Sequence, residues 1–366
     1  MDKPCILFIM PLPPPVHGSS MVCQSLLDSR FIRSAFQVDC VNLSTSRRMD
    51  EIGKGCWQKV FRFLRSYIEV FSKLLFHRYD ACYLAITCHG TGFLKDAPFV
   101  AMCKLFGRKV ILHHHNKGLS RDVSRWPYRW MMPWIYRDTE VILLSERLYA
   151  DVEAVVNPAQ IHICPNGIAG SVVRTSVSSS HNDFPRLLFL SNLLVSKGVW
   201  VLLDACCLLK ERGYRFVCDM VGGETTEIDR FRLEEEISIR GLKEQVFYWG
   251  PQYGEQKALF FQQADIFVQP TFEDCFPLTV LEAMQHSLPV VSTDEGAIPD
   301  MVVDGCNGFI CKRQDVLSLT DSLGRLLKDS ALRKQMGEKS CLRYKERFTQ
   351  EAFEQTFLHI LSNILN

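Results

Sequence analysis

Several signatures are missing from this chain, and each absence removes a class of protein. Its 15 cysteines are odd in number and include no C-x-x-C pair, which argues against a disulfide scaffold or a zinc ribbon and for reduced, mostly buried thiols in a cytosolic protein. No apolar run approaches the roughly 18 to 20 residues needed to span a bilayer. After Asp2 and Lys3, a short apolar run from Cys5 to Met10 meets a proline-rich stretch, which reads as strand and loop rather than a signal peptide. There is no G-x-G-x-x-G after a strand, no G-x-x-x-x-G-K-S/T and no G-x-S-x-G. A dinucleotide oxidoreductase, a P-loop nucleotidase and an α/β-hydrolase thereby lose their main support. No D-x-D is placed to hold a metal, and no repeat of 20 to 50 residues is visible.

What remains is an ordinary globular composition. With 366 residues, 47% of them hydrophobic and 23% charged, the chain is long enough for two domains, each with its own core. The net charge of +1 gives no global reason to expect nucleic acid. That sum conceals an asymmetry: residues 1–170 hold 21 basic and 14 acidic side chains, residues 171–366 hold 21 basic and 27 acidic.

Short apolar runs alternate with helical patterns. They fall at Cys5–Met10, Ala81–Ile86, Lys109–His113, Val141–Leu144 and Ile161–Cys164, then at Leu187–Leu190, Phe216–Val221, Val246–Trp249, Ile266–Gln269, Pro289–Ser292 and Gly308–Cys311. Such alternation predicts parallel sheets covered on both faces. Between the two series, AGSVVRTSVSSSHNDFP at 169–185 breaks all periodicity and reads as a linker. The expected organisation is an N-terminal domain over 1–168, the linker 169–185, a C-terminal domain over 186–348, and a final helix, 349–366, packing back toward the first domain. Amphipathic helices are expected at Val199–Arg212, Thr279–Gln285, Val316–Lys328, Ser330–Phe348 and Gln350–Leu365.

The most informative stretch is Gln269–Met284. A strand ends at Gln269, a tight loop carries Glu273 and Asp274, and a helix starts near Leu278. Its unpaired amides and positive dipole end suit a diphosphate. Glu282, eight residues after Asp274 and about one turn inside the helix, can face the same cleft and accept hydrogen bonds from sugar hydroxyls. At 113–115 three histidines close a strand; alternation sends His113 and His115 to one side and His114 to the other, and no ligand spacing beside them indicates a metal.

These segments, in this order, resemble the retaining GT-B glycosyltransferases of family GT4, also called glycosyltransferase group 1. The resemblance covers most of the chain: QPTFEDCFPLTVLEAM, LSNLLVSKG, HHHN, PNGI, EGAIPDMVVDGCNGF and the proline-glycine loop 11–21. It implies an α/β fold of two doubly wound, Rossmann-like domains facing a shared cleft. The first glutamate of the family's E-x7-E is Asp274 here, and the G-F-G turn reads Cys275-Phe276-Pro277, leaving Phe276, Leu278 and Thr279 as amide donors. The family's G-R-L-x-x-x-K-G retains Lys197 and Gly198 but has Asn192 in place of arginine.

The resemblance implies retaining transfer of a hexose or N-acetylhexosamine from UDP or GDP to a glycan or lipid-linked acceptor, in surface polysaccharide biosynthesis. Lys197 and the helix start would neutralise the leaving diphosphate, Asp274 would contact the donor sugar, and Glu282 the ribose. Gly18 and Ser19 would approach donor phosphate, and Phe247 would lie on the strand holding the base. Of the strand-end histidines, His115 is favoured for the donor sugar. No cofactor and no metal are expected, and no nucleic-acid partner. The rival readings are a sugar-nucleotide 2-epimerase sharing this architecture and a catalytically inert partner subunit.

One region fits none of these roles. Residues 47–78 interleave Arg47, Arg48, Lys54, Lys59, Arg62, Arg65, Lys73 and Arg78 with Trp57, Phe61, Leu64, Ile68, Phe71, Leu74 and Leu75, and 125–134 repeats the theme. One reading packs the apolar stripe on the sheet with the charges in solvent. The other sets the basic, aromatic face against an anionic membrane, making the cytoplasmic protein peripheral on the inner face.

Overall fold

The computed structural model describes residues 3–16, 18–44, 57–170 and 184–365. The expected linker falls largely outside them, as do Arg47, Arg48 and Lys54 of the basic stretch. The chain divides into two compact units, Met1–Gly167 with Gln350–Asn366, and Ile168–Thr349.

Each unit is built on a six-stranded, wholly parallel sheet. In the first, β1 (Cys5–Met10), β2 (Gln37–Asn42), β3 (Ala81–Ile86), β4 (Lys109–His114), β5 (Glu140–Leu143) and β6 (Ile161–Ile163) run in the order β2-β1-β3-β4-β5-β6. In the second, β7 (Arg186–Leu190), β8 (Val217–Val221), β9 (Val246–Tyr248), β10 (Ile266–Gln269), β11 (Val290–Thr293) and β12 (Gly308–Cys311) take the order β12-β11-β10-β7-β8-β9. Both are doubly wound α/β sheets, the GT-B class that the sequence resemblance implied. Central strands such as Ile6–Met10 and Ile266–Val268 are continuous runs of buried residues because helices cover both faces.

The sequence reading found eleven of these strands and missed β2. Its sequence, QVDCVN, is neither a continuous apolar run nor a clean alternation, because it lies at the sheet edge with only Val41 buried among its residues. Side-chain bonds fix it: Asp39 takes Lys73 Nζ at 2.7 Å and Tyr79 Oη at 2.6 Å.

The last helix, Gln350–Leu365, belongs to the first unit. Phe357 is fully buried, with its ring centroid 5.2 Å from Tyr83, 6.1 Å from His113 and 6.4 Å from Phe8. Ser29 Oγ donates to Glu354 Oε2 at 2.6 Å, a buried bond that fixes the helix laterally.

Phe357→Ala should therefore cost about 3–5 kcal/mol of first-unit stability, the usual range for removing a buried ring. Urea denaturation followed by far-ultraviolet dichroism is the measurement; a loss below about 1 kcal/mol would show that the helix contributes little to that core.

Candidate functional site

In the second sheet the strand order reverses between β7 and β10, so the loops after these two strands lie side by side. Ligands of open α/β sheets gather at such switch points. Backbone bonds lock the two loops: Phe272 N donates to Ser196 O at 2.9 Å, and Thr271 Oγ1 to the same carbonyl at 3.1 Å. Gly198 sits at φ +79°, and a Cβ on it would lie 2.1 Å from the Pro270 carbonyl oxygen. Only glycine allows this approach.

The consequence is a short ion pair. Lys197 Nζ donates to Asp274 Oδ2 at 2.6 Å and to the Glu273 carbonyl at 3.0 Å, both side chains being mostly shielded. Gln269 Nε2 reaches Asp274 Oδ2 at 3.4 Å while its Oε1 accepts from Thr279 Oγ1 at 2.8 Å. A carboxylate, an ammonium and a helix start are thus joined in one network. Pro277 begins the Leu278–Gln285 helix without a side-chain cap, so no side chain occupies the amides of its first turn through the capping position. Phe276 is buried against Phe348.

Beneath Asp274 lies a support that the sequence marked only as part of the resembling stretch EGAIPDMVVDGCNGF. Glu295, 1% exposed, accepts from the Asp274 amide at 3.2 Å through Oε1 and pairs with Arg313 Nη1 at 3.0 Å through Oε2. Gly296 at φ +53° passes under Asp274 and Cys275, where a Cβ would lie 2.5 Å from the Asp274 carbonyl oxygen. The residue following that glycine, Ala297, donates its amide to Cys275 O at 2.9 Å. Part of the signal was in the sequence, since Glu295 opens the stretch resembling a family turn. Arg313, distant in sequence, gave none.

Glu282 stands in a second pair, accepting from Lys257 Nζ at 2.6 Å, while its other oxygen, Oε2, is buried with no hydrogen-bond partner among the described residues. Asn192 Oδ1 accepts from the Gly223 amide at 3.3 Å, so it braces the β8 loop rather than joining Lys197. Phe247, on edge strand β9, opens onto a cavity of about 520 Å³ lined with Glu234, Ile237, Lys243, Val246, Tyr248 and Trp249. That cavity includes none of the Lys197–Asp274 residues.

The other candidates belong to the first unit. Gly18 and Ser19 open the Gly18–Asp28 helix, and Ser20 Oγ donates back to Pro15 O at 2.9 Å, closing the proline loop. At the end of β4, His113 is buried, with Nδ1 at 2.8 Å from Tyr83 Oη; burial first, then the neighbouring histidines, pull its pKa well below the usual range. His114 faces Tyr136 Oη at 3.1 Å, and burial lowers its pKa to about 4. Both rings are neutral near pH 7. His115 is half-buried, its centroid 4.1 Å from His113. Among the described residues no three His, Cys, Asp or Glu side chains cluster as a metal site.

After His115 the chain turns under the control of Asp151, a residue the sequence did not single out. Its carboxylate accepts from Gly118 N at 2.8 Å, Leu119 N at 3.1 Å, Ser120 N at 3.2 Å and Ser120 Oγ at 2.7 Å. Burial pushes its pKa up, but these bonds outweigh it and the net shift is downward.

Comparison with known proteins places this geometry. Residues 175–342 match the model of the family described as glycosyl transferases group 1, and the match falls within the second unit. An amylovoran biosynthesis glycosyltransferase of Erwinia amylovora is 25% identical over 236 residues, 62% of this chain and 57% of the relative. A D-inositol 3-phosphate glycosyltransferase of Corynebacterium urealyticum is 32% identical over 155 residues, 41% of this chain and 36% of the relative. The chain thus spans less than two thirds of the curated relatives it matches. Among solved structures, a sucrose-phosphate synthase from Thermosynechococcus elongatus aligns over 99% of both chains with TM-score 0.78 at 17% identity. The Anabaena protein HepE in complex with UDP aligns over 99% of this chain and 100% of its own with TM-score 0.77 at 16% identity. These likenesses show the shared fold.

Asp151→Asn should destabilise the protein at neutral pH by about 1–2 kcal/mol, the lower part of the range because the carboxylate is partly exposed. Its folded pKa lies below the ordinary 3.8, so the stabilisation is present above that value and fades as pH falls through the folded pKa. Thermal midpoints of wild type and variant should converge at the acid end. A gap that widened on acidification would contradict the assignment.

Proposed function

We propose that this protein, whose second unit matches the glycosyl transferases group 1 family, is a glycosyltransferase that moves a hexose or N-acetylhexosamine from a nucleoside-diphosphate sugar to a glycan or lipid-linked acceptor with retention at the anomeric carbon. The observation that carries the reading is the Lys197–Asp274 pair at 2.6 Å, set at the sheet's switch point beside an uncapped helix start. A departing diphosphate needs that combination of cation and free amides. Two further facts support it: HepE is described in complexes with UDP and with UDP-glucose, and the Erwinia relative is named for polysaccharide biosynthesis.

In this reading the diphosphate takes Lys197 as its counter-ion and the amides of Phe276, Leu278 and Thr279 as donors. Asp274, released from the lysine, turns to a hydroxyl of the donor sugar. Glu282 uses its unpartnered oxygen for the ribose, with Lys257 holding the other oxygen. Asn192 and Phe247 complete donor binding in the second unit. The C1–O bond to phosphate breaks as the C1–O bond to acceptor forms on the same face. The acceptor's proton passes to the phosphate oxygen, so no side chain is required as a nucleophile. The positive charge for leaving-group departure comes from Lys197 and backbone dipoles, and the proposal assigns no metal or other cofactor.

A donor panel reporting free UDP or GDP tests this on wild type, Lys197→Ala and Asp274→Asn. Lys197→Ala should lower kcat/KM by about 10²-fold or more, as expected for losing a charge that stabilises the transition state. Asp274→Asn should lower turnover at least about tenfold. Unchanged turnover in Asp274→Asn would overturn the site. Interconversion of UDP-sugars without acceptor would favour the epimerase, and failure to bind UDP or GDP by calorimetry would favour an inert subunit.

Gly198→Ala should separate the two loops, because its Cβ would need the space of the Pro270 carbonyl. Calorimetry should then show UDP or GDP binding weakened by about tenfold or more. Wild-type affinity would show that the close approach is not needed.

A further inference from the structure

The aromatic stripe of residues 57–75 does not pack on the sheet. In the Trp57–Phe76 helix the inward positions are Ser66, Val70 and Leu74, with Tyr67 stacked 4.4 Å from Phe99. The named stripe, apart from Leu74, lies on the opposite face: Trp57, Phe61, Leu64, Ile68, Phe71 and Leu75 are 49% to 89% exposed. The expectation of a core-facing stripe is thereby corrected. The helix is apolar on two sides, and the sequence period could not tell which side the sheet would take.

This face continues onto neighbouring elements of the same unit. Phe71 meets Phe106 at 5.7 Å between centroids; beside Phe106, Leu105 is 81% exposed, and Lys104 lies 5.2 Å from the Trp134 ring. Trp134 and Trp130 are one turn apart on the Tyr128–Tyr136 helix, which Trp126 precedes, and these three rings are 45%, 69% and 78% exposed. Four of the chain's six tryptophans thus stand in this exposed set. Large exposed rings gathered on neighbouring elements mark an interaction surface, whereas surface hydrophobics scattered singly need no explanation.

We infer that this face is a docking surface for an anionic lipid bilayer, with the Trp57–Phe76 helix lying in the headgroup plane. The charge pattern selects this occupant. Five basic residues, Arg62, Arg65, Lys104, Arg125 and Arg129, border the apolar rings against Glu69, Asp138 beside Lys104, and Asp122, which pairs with Arg125 at 3.1 Å; Arg129 lies 5.3 Å from the Trp130 ring. In a self-complementary dimer across a two-fold axis, this basic rim would face its own copy, and the 4-3-4-3-4 seam of residues 57 to 75 has no acidic flank to meet Arg65. Anionic headgroups complement the rim, and tryptophan belongs at the water–lipid boundary, where its ring is buried and its N–H stays wet. Among the described residues no helix is long and apolar enough to cross a membrane, so this contact is interfacial. The inference stands apart from the transfer reaction and is read without substrate.

Flotation of the full chain with phosphatidylcholine vesicles, and with vesicles also containing phosphatidylglycerol, tests it. The wild type should float with the anionic vesicles, release with added salt and show a blue shift of tryptophan emission. Phe61→Ser with Leu64→Ser and Phe71→Ser should lower partitioning at least about tenfold. Arg65→Glu with Arg129→Glu should lower it by about tenfold or more and remove the anionic preference, both with an unchanged dichroism spectrum. Equal recovery of wild type with the two vesicles, or none with either, overturns the proposal. So does a two-chain mass in light scattering that Ile68→Glu reduces to one, which would give the face to a second copy.

Discussion

The ion pair between Lys197 and Asp274 depends on the strand order of the second sheet. Because β7 and β10 are neighbours in space though about 80 residues apart in sequence, the loops after them converge, and a lysine and a carboxylate meet at 2.6 Å. Everything around the pair serves that meeting. Gly198 removes the Cβ that would keep the loops apart, Ser196 O takes two donors from the opposite loop, and Glu295 holds the Asp274 backbone from below.

The proposed reading requires an acidic half of the chain to bind an anion. Lys197, Lys257 and Arg313 each face a carboxylate: Asp274, Glu282 and Glu295 respectively. The cations are stored neutralised, so an incoming diphosphate competes with carboxylates rather than entering a bare positive field. In the proposed reading such exchange favours dianionic ligands over weaker anions, since only a ligand of comparable charge density repays the broken pair.

Much of this was legible in the sequence because it rests on local signals. Eleven strands announce themselves as apolar runs, Asp274 and Glu282 stand out by their distance from a strand end and a helix start, and Lys197 by its place in a stretch resembling the family's G-R-L-x-x-x-K-G. The remainder depends on tertiary choices. Strand β2 is polar enough to be an edge, which only the assembled sheet reveals. Asp151 and Arg313 act across sequence gaps of 31 to 33 and 18 residues, with no pattern to mark them. The helix at 57–76 has two apolar faces, and its periodicity is equally good evidence for either one being buried.

The helix at 350–365 has a consequence for how the protein comes into being. Phe353, Phe357, Ile360 and Leu361 belong to the first unit and are buried, yet they are translated after the whole of the second unit. On the ribosome the first sheet must wait with an open hydrophobic flank while the second unit completes itself from contiguous chain. Order of synthesis and order of completion are therefore reversed, and the half that is made first is the half finished last.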